Sequence, residues 1–209
     1  MTASCPLDTE QLLELACRGD SAARQQLLIR HQDRLRRMVA LRVDRRMAAR
    51  IDPSDIVQES LAEAHQHLSE YIRDRPLPFY AWLRQFAWER VAKQYERHVR
   101  AQRRSVTREE APPLPDESVM QLAHRLIASA TSPSRHLVRE ELRERVRTAL
   151  GCLKPNDREV LVLRYLEGLS NAEAAAVMGL AESTAGMRHL RALERLRALL
   201  VDEDGEVER

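Results

Sequence analysis

The sequence predicts an all-α protein of two helical domains, and three observations predict it. Phe, Trp and Gly are scarce (two, two and six), while Leu, Ala, Arg and Glu dominate, a mixture that favours helices. No window sustains the two-residue alternation of a half-buried strand. A proline-rich break, Ala111-Pro112-Pro113-Leu114-Pro115, cannot continue a helix and separates two helical blocks. At 209 residues the chain can hold one large or two small domains, each with room for a core.

The first block spans residues 8–100. Leu12 to Cys17 and Ala22 to about Arg50 read as helices, and a further helix opens at Asp52-Pro53. Asp52 can cap, proline suits the first helical position because its missing N–H is not needed there, and Asp55 suits the positive end of the helix dipole. In this helix Val57, Leu61, Ala64, Leu68 and Tyr71 share an apolar face, and Asp55, Gln58, Glu59, Ala62 and Gln66 the opposite one. Such an acid-and-amide face can meet a basic helical partner or stand solvated. After the loop Arg73 to Pro78 come six of the chain's eight aromatics: Phe79, Tyr80, Trp82, Phe86, Trp88 and Tyr95. They are interleaved with Arg84, Arg90, Lys93 and Arg97, which suits stacking on unpaired bases with cations along the backbone. The competing reading is a core. It fits Trp82 and Phe86 at i, i+4 spacing and fits Phe79, Tyr80 and Trp88 less well, since they cannot all share that face.

Residues 101–133 read as a linker, with an amphipathic piece from Val119 to Ile127 able to dock on either domain. The second block, residues 134–200, starts with Val138, Leu142, Val146 and Leu150 at helical spacing, and an acidic tail follows over 201–209. Within this block a helix starts at Ser170 with Glu173 as its capping-box partner and stops at Gly179, where a positive φ is needed. On the next helix Leu190, Leu193, Leu196 and Leu200 fall in one arc. Thr184, Arg188, Arg191 and Arg195 fall roughly opposite, a shape suited to a DNA major groove. An ordinary amphipathic surface helix would show the same faces; the capped helix and glycine turn upstream favour DNA. His189 lies on the apolar side, as a packing residue.

Net charge is only +2, but eight arginines face two aspartates from Arg30 to Arg50, and eight Arg or Lys face two Glu from Arg84 to Arg108. Basic segments in a near-neutral chain suggest local contact with a polyanion. Cys5, Cys17 and Cys152 lack metal-ligand or disulfide spacing, and His65 and His67, two apart on a helix, point to different faces. No phosphate loop, metal cluster or nucleophile–base pair stands out, so no cofactor, metal or small-molecule substrate is expected, and the chain does not read as an enzyme. No apolar run reaches membrane-spanning length and no signal peptide opens the chain, so a cytoplasmic location without membrane insertion is expected.

Three segments in order resemble the extracytoplasmic-function sigma factors of bacteria. DPSDIVQES (Asp52 to Ser60) looks like the region 2.2 signature. FYAWLRQF (Phe79 to Phe86) looks like the aromatic-Trp-Leu opening of regions 2.3 and 2.4. The stretch from Leu153 to Leu200 resembles region 4 almost end to end. The resemblance covers about three-quarters of the chain and implies a transcription initiation factor. Its partners would be bacterial core RNA polymerase and promoter DNA, with an anti-sigma factor a partner common in the class. It implies that Asp55, Gln58 and Glu59 meet the clamp helices of the largest polymerase subunit. Tyr71, Phe79, Tyr80, Trp88, Arg84, Arg90 and Arg97 would then melt the downstream (−10) element and hold a flipped base, stacking offsetting the few kcal/mol of unpairing. Ser183, Thr184, Arg188, Arg191 and Arg195 would read the upstream (−35) element, where one arginine on a guanine edge supplies about 1–3 kcal/mol of discrimination.

Gly186 stands where many members carry Lys or Arg, and Glu89 and Lys93 replace a frequent Asn and Asp; these departures bear on the promoter sequence. Two other functions fit parts of the pattern. A dimeric helix-turn-helix repressor or activator would bind a palindrome without polymerase. An adaptor would bind polymerase and be indifferent to loss of Arg188 and Arg191.

Overall fold

A computed structural model describes residues 7–43, 52–102, 114–130 and 136–207, and every regular element among them is helical. The chain divides into two compact units, Met1–Pro112 and Pro113–Arg209.

In the first unit α1 (Thr9–Cys17) starts from a capping box in which Asp8 accepts from the Gln11 N–H and the Gln11 side chain accepts from the Asp8 N–H. Asp20 caps α2 (Ser21–Arg42) by accepting from the Ala22 and Ala23 amides. α2 stops at Arg42 with Val43 extended, short of the expected end near Arg50, and residues 44–51 lie outside the described residues. Asp52 caps α3 (Pro53–Asp74) with Pro53 at its first position. The helix ends at Arg75 in the left-handed region (φ 39°), and α4 (Phe79–Gln102) follows. The predicted apolar face of α3 packs inward: Val57, Ala64, Leu68 and Tyr71 are buried and Leu61 half-buried. They meet Leu27, Leu35 and Met38 of α2 and Leu83, Ala87 and Val91 of α4 in one cluster. Burying such side chains is worth about 1.5–3 kcal/mol each, which fixes the rotation of α3 and so which of its residues face out.

The second unit contains α5 (Asp116–Ala130), α6 (His136–Cys152), α7 (Pro155–Leu161) running into a π-helical turn (Val162–Leu166), α8 (Asn171–Met178) and α9 (Glu182–Val207). Two corrections to the sequence reading arise here. Residues 116–130, read as linker, form α5, which packs on α6 and the π-helical turn with Leu122 and Ala123 fully buried. The stripe Leu122, Ala123, Leu126, Ile127 recurs at the spacing of one helix face, and the second unit supplies the surface that buries it. At the other end, α9 continues to Val207 through residues read as a tail.

The join between α6 and α7 is built by Arg158. Its guanidinium donates to the carbonyls of Leu150 (2.8 Å) and Gly151 (2.8 Å), which the end of α6 leaves without helical partners. The Ser170–Glu173 capping box forms at the start of α8, and Gly179 closes it in the left-handed region at φ 63°. Asn171 Nδ2 donates to the Glu182 carbonyl (2.9 Å), tying the start of α8 to the start of α9.

Candidate nucleic-acid interface

α9 docks through small residues. Ala185 and Ala192 are fully buried and Leu196 nearly so, whereas Leu190 is exposed and Leu193 and Leu200 are half-buried. The apolar arc expected through Leu190 is therefore rotated: two alanines let α9 approach α7 and α8 closely, and this centres the buried face on them. His189 packs beside Tyr165 (ring centroids 5.7 Å apart); burial, aided by the charge of Arg164, holds its imidazole below the usual histidine range.

The opposite side of α9 forms one wall of an open groove of about 490 Å³. Ser183, Thr184, Arg188, Arg191 and Arg195 all line it, so the five residues singled out in the sequence come together. The groove also contains Lys154 and Asp157, from the start of α7, and Met187, none of which the sequence reading selected. Arg195 is not a free cation. Its Nη1 donates to the Asp157 carboxylate, whose side chain is only 6 % exposed against 50 % for Arg195. The lining therefore holds four cations and one carboxylate, and it suits a polyanion.

In the first unit Asp55, Gln58 and Glu59 are exposed on the outer face of α3. Glu59 is also tied to α4: Arg90 Nε donates to its carboxylate (3.1 Å), and Arg90 Nη1 donates to Glu63. The hydrogen bond from Arg90 holds the Glu63 carboxyl below its ordinary value, against the opposing effect of burial. Arg90, expected on DNA, thus joins two helices.

The aromatic segment requires a further correction. Tyr71, Phe79 and Tyr80 are buried and have no open ring face to offer a base. Tyr71 packs on Trp82 (centroids 4.5 Å) and Phe79 (5.3 Å), and its hydroxyl donates to the Leu77 carbonyl (3.0 Å). Burial pushes that phenol up to about 12. The Tyr80 hydroxyl donates to the Arg34 carbonyl (3.2 Å), and the Arg34 guanidinium lies 3.8 Å over its ring. These contacts come from α2 and from the α3–α4 turn, which helical periodicity within α4 alone does not report. Trp88 is half-buried, with the guanidinium carbons of Arg42 and Arg84 at 5.1 and 5.0 Å from its ring centre. Arg84 is itself buried beside it, and Arg97 is exposed.

Comparison with known proteins identifies the family of this chain. The family model for sigma-70, region 4, matches residues 143–196, the stretch from α6 to α9 that builds the groove. The RNA polymerase sigma factor CnrH of Cupriavidus metallidurans is 32 % identical over 205 residues, covering 96 % of this chain and 98 % of CnrH. This chain belongs to the extracytoplasmic-function sigma factors. The ECF RNA polymerase sigma-E factor of Salmonella typhimurium is 28 % identical over 91 % of the chain and 93 % of its own length. Among solved structures, CnrH in complex with the cytosolic domain of CnrY aligns with a TM-score of 0.51 and 27 % identity, covering 93 % of this chain and 99 % of that one. Within this sigma factor Gly186 lies against Asn171: an added Cβ would sit 3.6 Å from both polar atoms of that side chain, an ordinary contact. No helix among the described residues is long and apolar enough to cross a membrane, and no described cluster of His, Cys, Asp or Glu could hold a metal.

Proposed function

We propose that this sigma factor binds bacterial core RNA polymerase through the exposed α3 face of Asp55, Gln58 and Glu59. In this reading it directs the enzyme to promoters whose upstream element lies in the α9 groove. The observation that carries the second statement is the convergence of Ser183, Thr184, Arg188, Arg191 and Lys154 on one groove beside a helix whose other face is packed. A duplex offers a matching array of phosphates and hydrogen-bonding base edges. The downstream element is met by what the first unit leaves accessible, the Trp88 edge and Arg97. The Tyr71, Phe79 and Tyr80 cluster holds α4 in place beneath them, with Arg84 fixing the Trp88 ring and Arg90 fixing α3 against α4. The protein supplies recognition and melting and no catalytic chemistry of its own, and it acts in the cytoplasm where polymerase meets DNA. CnrH is solved in complex with the cytosolic domain of CnrY, which supports a further protein partner here, in this reading an anti-sigma factor.

The test is a binding pair. Purified core polymerase is titrated with the full chain and with an Asp55→Lys, Glu59→Lys variant. The reading predicts that the variant loses polymerase binding and keeps its fold. Undiminished binding would remove the α3 face from the account. Replacing Arg188 and Arg191 with Ala should leave polymerase binding intact and abolish promoter selection; a protein that keeps selection would be an adaptor.

A further inference from the structure

Among the described residues Met187 is the one apolar side chain lining the α9 groove, and at 49 % exposure it is one of the few large hydrophobic residues there left open to solvent. Ser183, Met187 and Arg191 lie at successive i, i+4 steps, so Met187 stands on the outer face between a hydroxyl and a guanidinium. An exposed methionine inside a cationic, hydroxyl-lined surface contributes nothing to phosphate binding. It gains from an apolar partner, and the major-groove edges of the four base pairs offer one such group. All their other recognition features are hydrogen-bond donors or acceptors; the exception is the thymine C5 methyl.

We infer that Met187 is a specificity-determining residue that reads a thymine methyl in the upstream promoter element. The inference rests on the reading of α9 as the helix that lies in the major groove. Residues four apart are about 6 Å apart along a helix, against about 3.4 Å per base step, so Met187 and Arg191 reach bases one or two steps apart. An element with a thymine one or two steps from an arginine-read guanine follows. The methionine side chain is well suited to this contact, being unbranched, polarizable, and able to adjust its three torsions to a methyl whose position shifts with local DNA shape.

The experiment uses polymerase holoenzyme assembled with the full chain and a promoter duplex recovered by run-off transcription. Each thymine of the upstream element is replaced singly by deoxyuridine, which deletes the methyl and keeps the base pair. Burying one methyl on one apolar side chain predicts that a single replacement weakens promoter binding about threefold to fivefold in the unsubstituted protein. Met187→Ala should bind the thymine and uridine duplexes equally, and Met187→Leu should restore most of the difference. Arg191→Ala should weaken both duplexes and preserve their ratio. Tolerance of uridine at every position, an upstream element without thymine, or a ratio that persists in Met187→Ala would each overturn the inference. Promoter binding that survives loss of both Arg188 and Arg191 would instead overturn the groove reading on which it stands.

Discussion

Replacing Asp157 with Asn should make the second unit less stable and its grip on DNA stronger, two effects of opposite sign from one nearly isosteric change. The Asp157 carboxylate is almost wholly buried and paired with a half-exposed Arg195. Removing one partner of a fully buried pair costs about 3–5 kcal/mol because a charge is stranded. Here the stranded group is Arg195, which can turn into solvent, so the pair itself is discounted to about 1 kcal/mol. Asp157 also sits in the first turn of α7, where a carboxylate gains roughly 0.3–1 kcal/mol from the helix dipole. The sum, about 1–2 kcal/mol, lowers the Tm of a unit this size by about 4–8 °C per kcal/mol. In the groove the same change frees one guanidinium. A further phosphate contact steepens log Kobs against log salt by about 0.9. Calorimetry of the full chain and promoter binding by holoenzyme across a salt series read the two effects. An unchanged Tm, or a salt slope that stays the same or flattens, would refute the claim that Asp157 both anchors α7 and masks Arg195.

Arg90→Ala should loosen α3 from α4 and cost about 1 kcal/mol, since both carboxylates it holds are substantially exposed. Because Arg90 depresses the Glu63 carboxyl, that contribution is present above the unfolded carboxylate range and is lost as pH falls through the lower folded value. The wild-type advantage over the variant should therefore shrink in acid, and a constant advantage would contradict the assignment. Tyr71 acts at the other end of the scale. Its folded phenol titrates near 12 against an unfolded value near 10, so its contribution holds below the unfolded value and is lost as pH rises through the folded one. Tyr71→Phe should flatten the alkaline decline in chemical-denaturation stability; an unaltered profile would mean that the phenol titrates freely. Gly186→Ala should stabilise the second unit by about 0.5–1 kcal/mol, because the added methyl meets Asn171 at ordinary contact distance and a mid-helix glycine is relieved. A lower Tm would show that α8 and α9 cannot accept a Cβ there.

Local chemistry was the legible part of this chain. The Ser170–Glu173 box, the Gly179 stop and the Asp52-Pro53 start each depend on a few adjacent residues and stand where the pattern put them. The inward face of α3 followed from periodicity because Val57, Ala64, Leu68 and Tyr71 form an unbroken stripe. Features settled by tertiary neighbours were not legible. The α4 periodicity gave no sign that α2 covers Tyr80 or that Phe79 packs into the α3–α4 turn, so rings suited to stacking on bases turned out to be core. The buried face of α9 runs along Ala185 and Ala192, which a hydrophobicity wheel underweights against Leu190. Asp157 and Lys154 lie some thirty residues before the recognition helix, and only the fold brings them to its groove. α5 was hidden by its charged and proline-rich flanks, although its own stripe was visible as an amphipathic piece.

The most direct test of the central claim is run-off transcription from a genomic promoter library by purified bacterial core polymerase with and without this chain. The account predicts new start sites that appear only with the chain, share two upstream sequence elements, and vanish when Arg188 and Arg191 are replaced by Ala. No new starts, with tight binding of the chain alone to a palindromic duplex, would contradict it and favour a repressor.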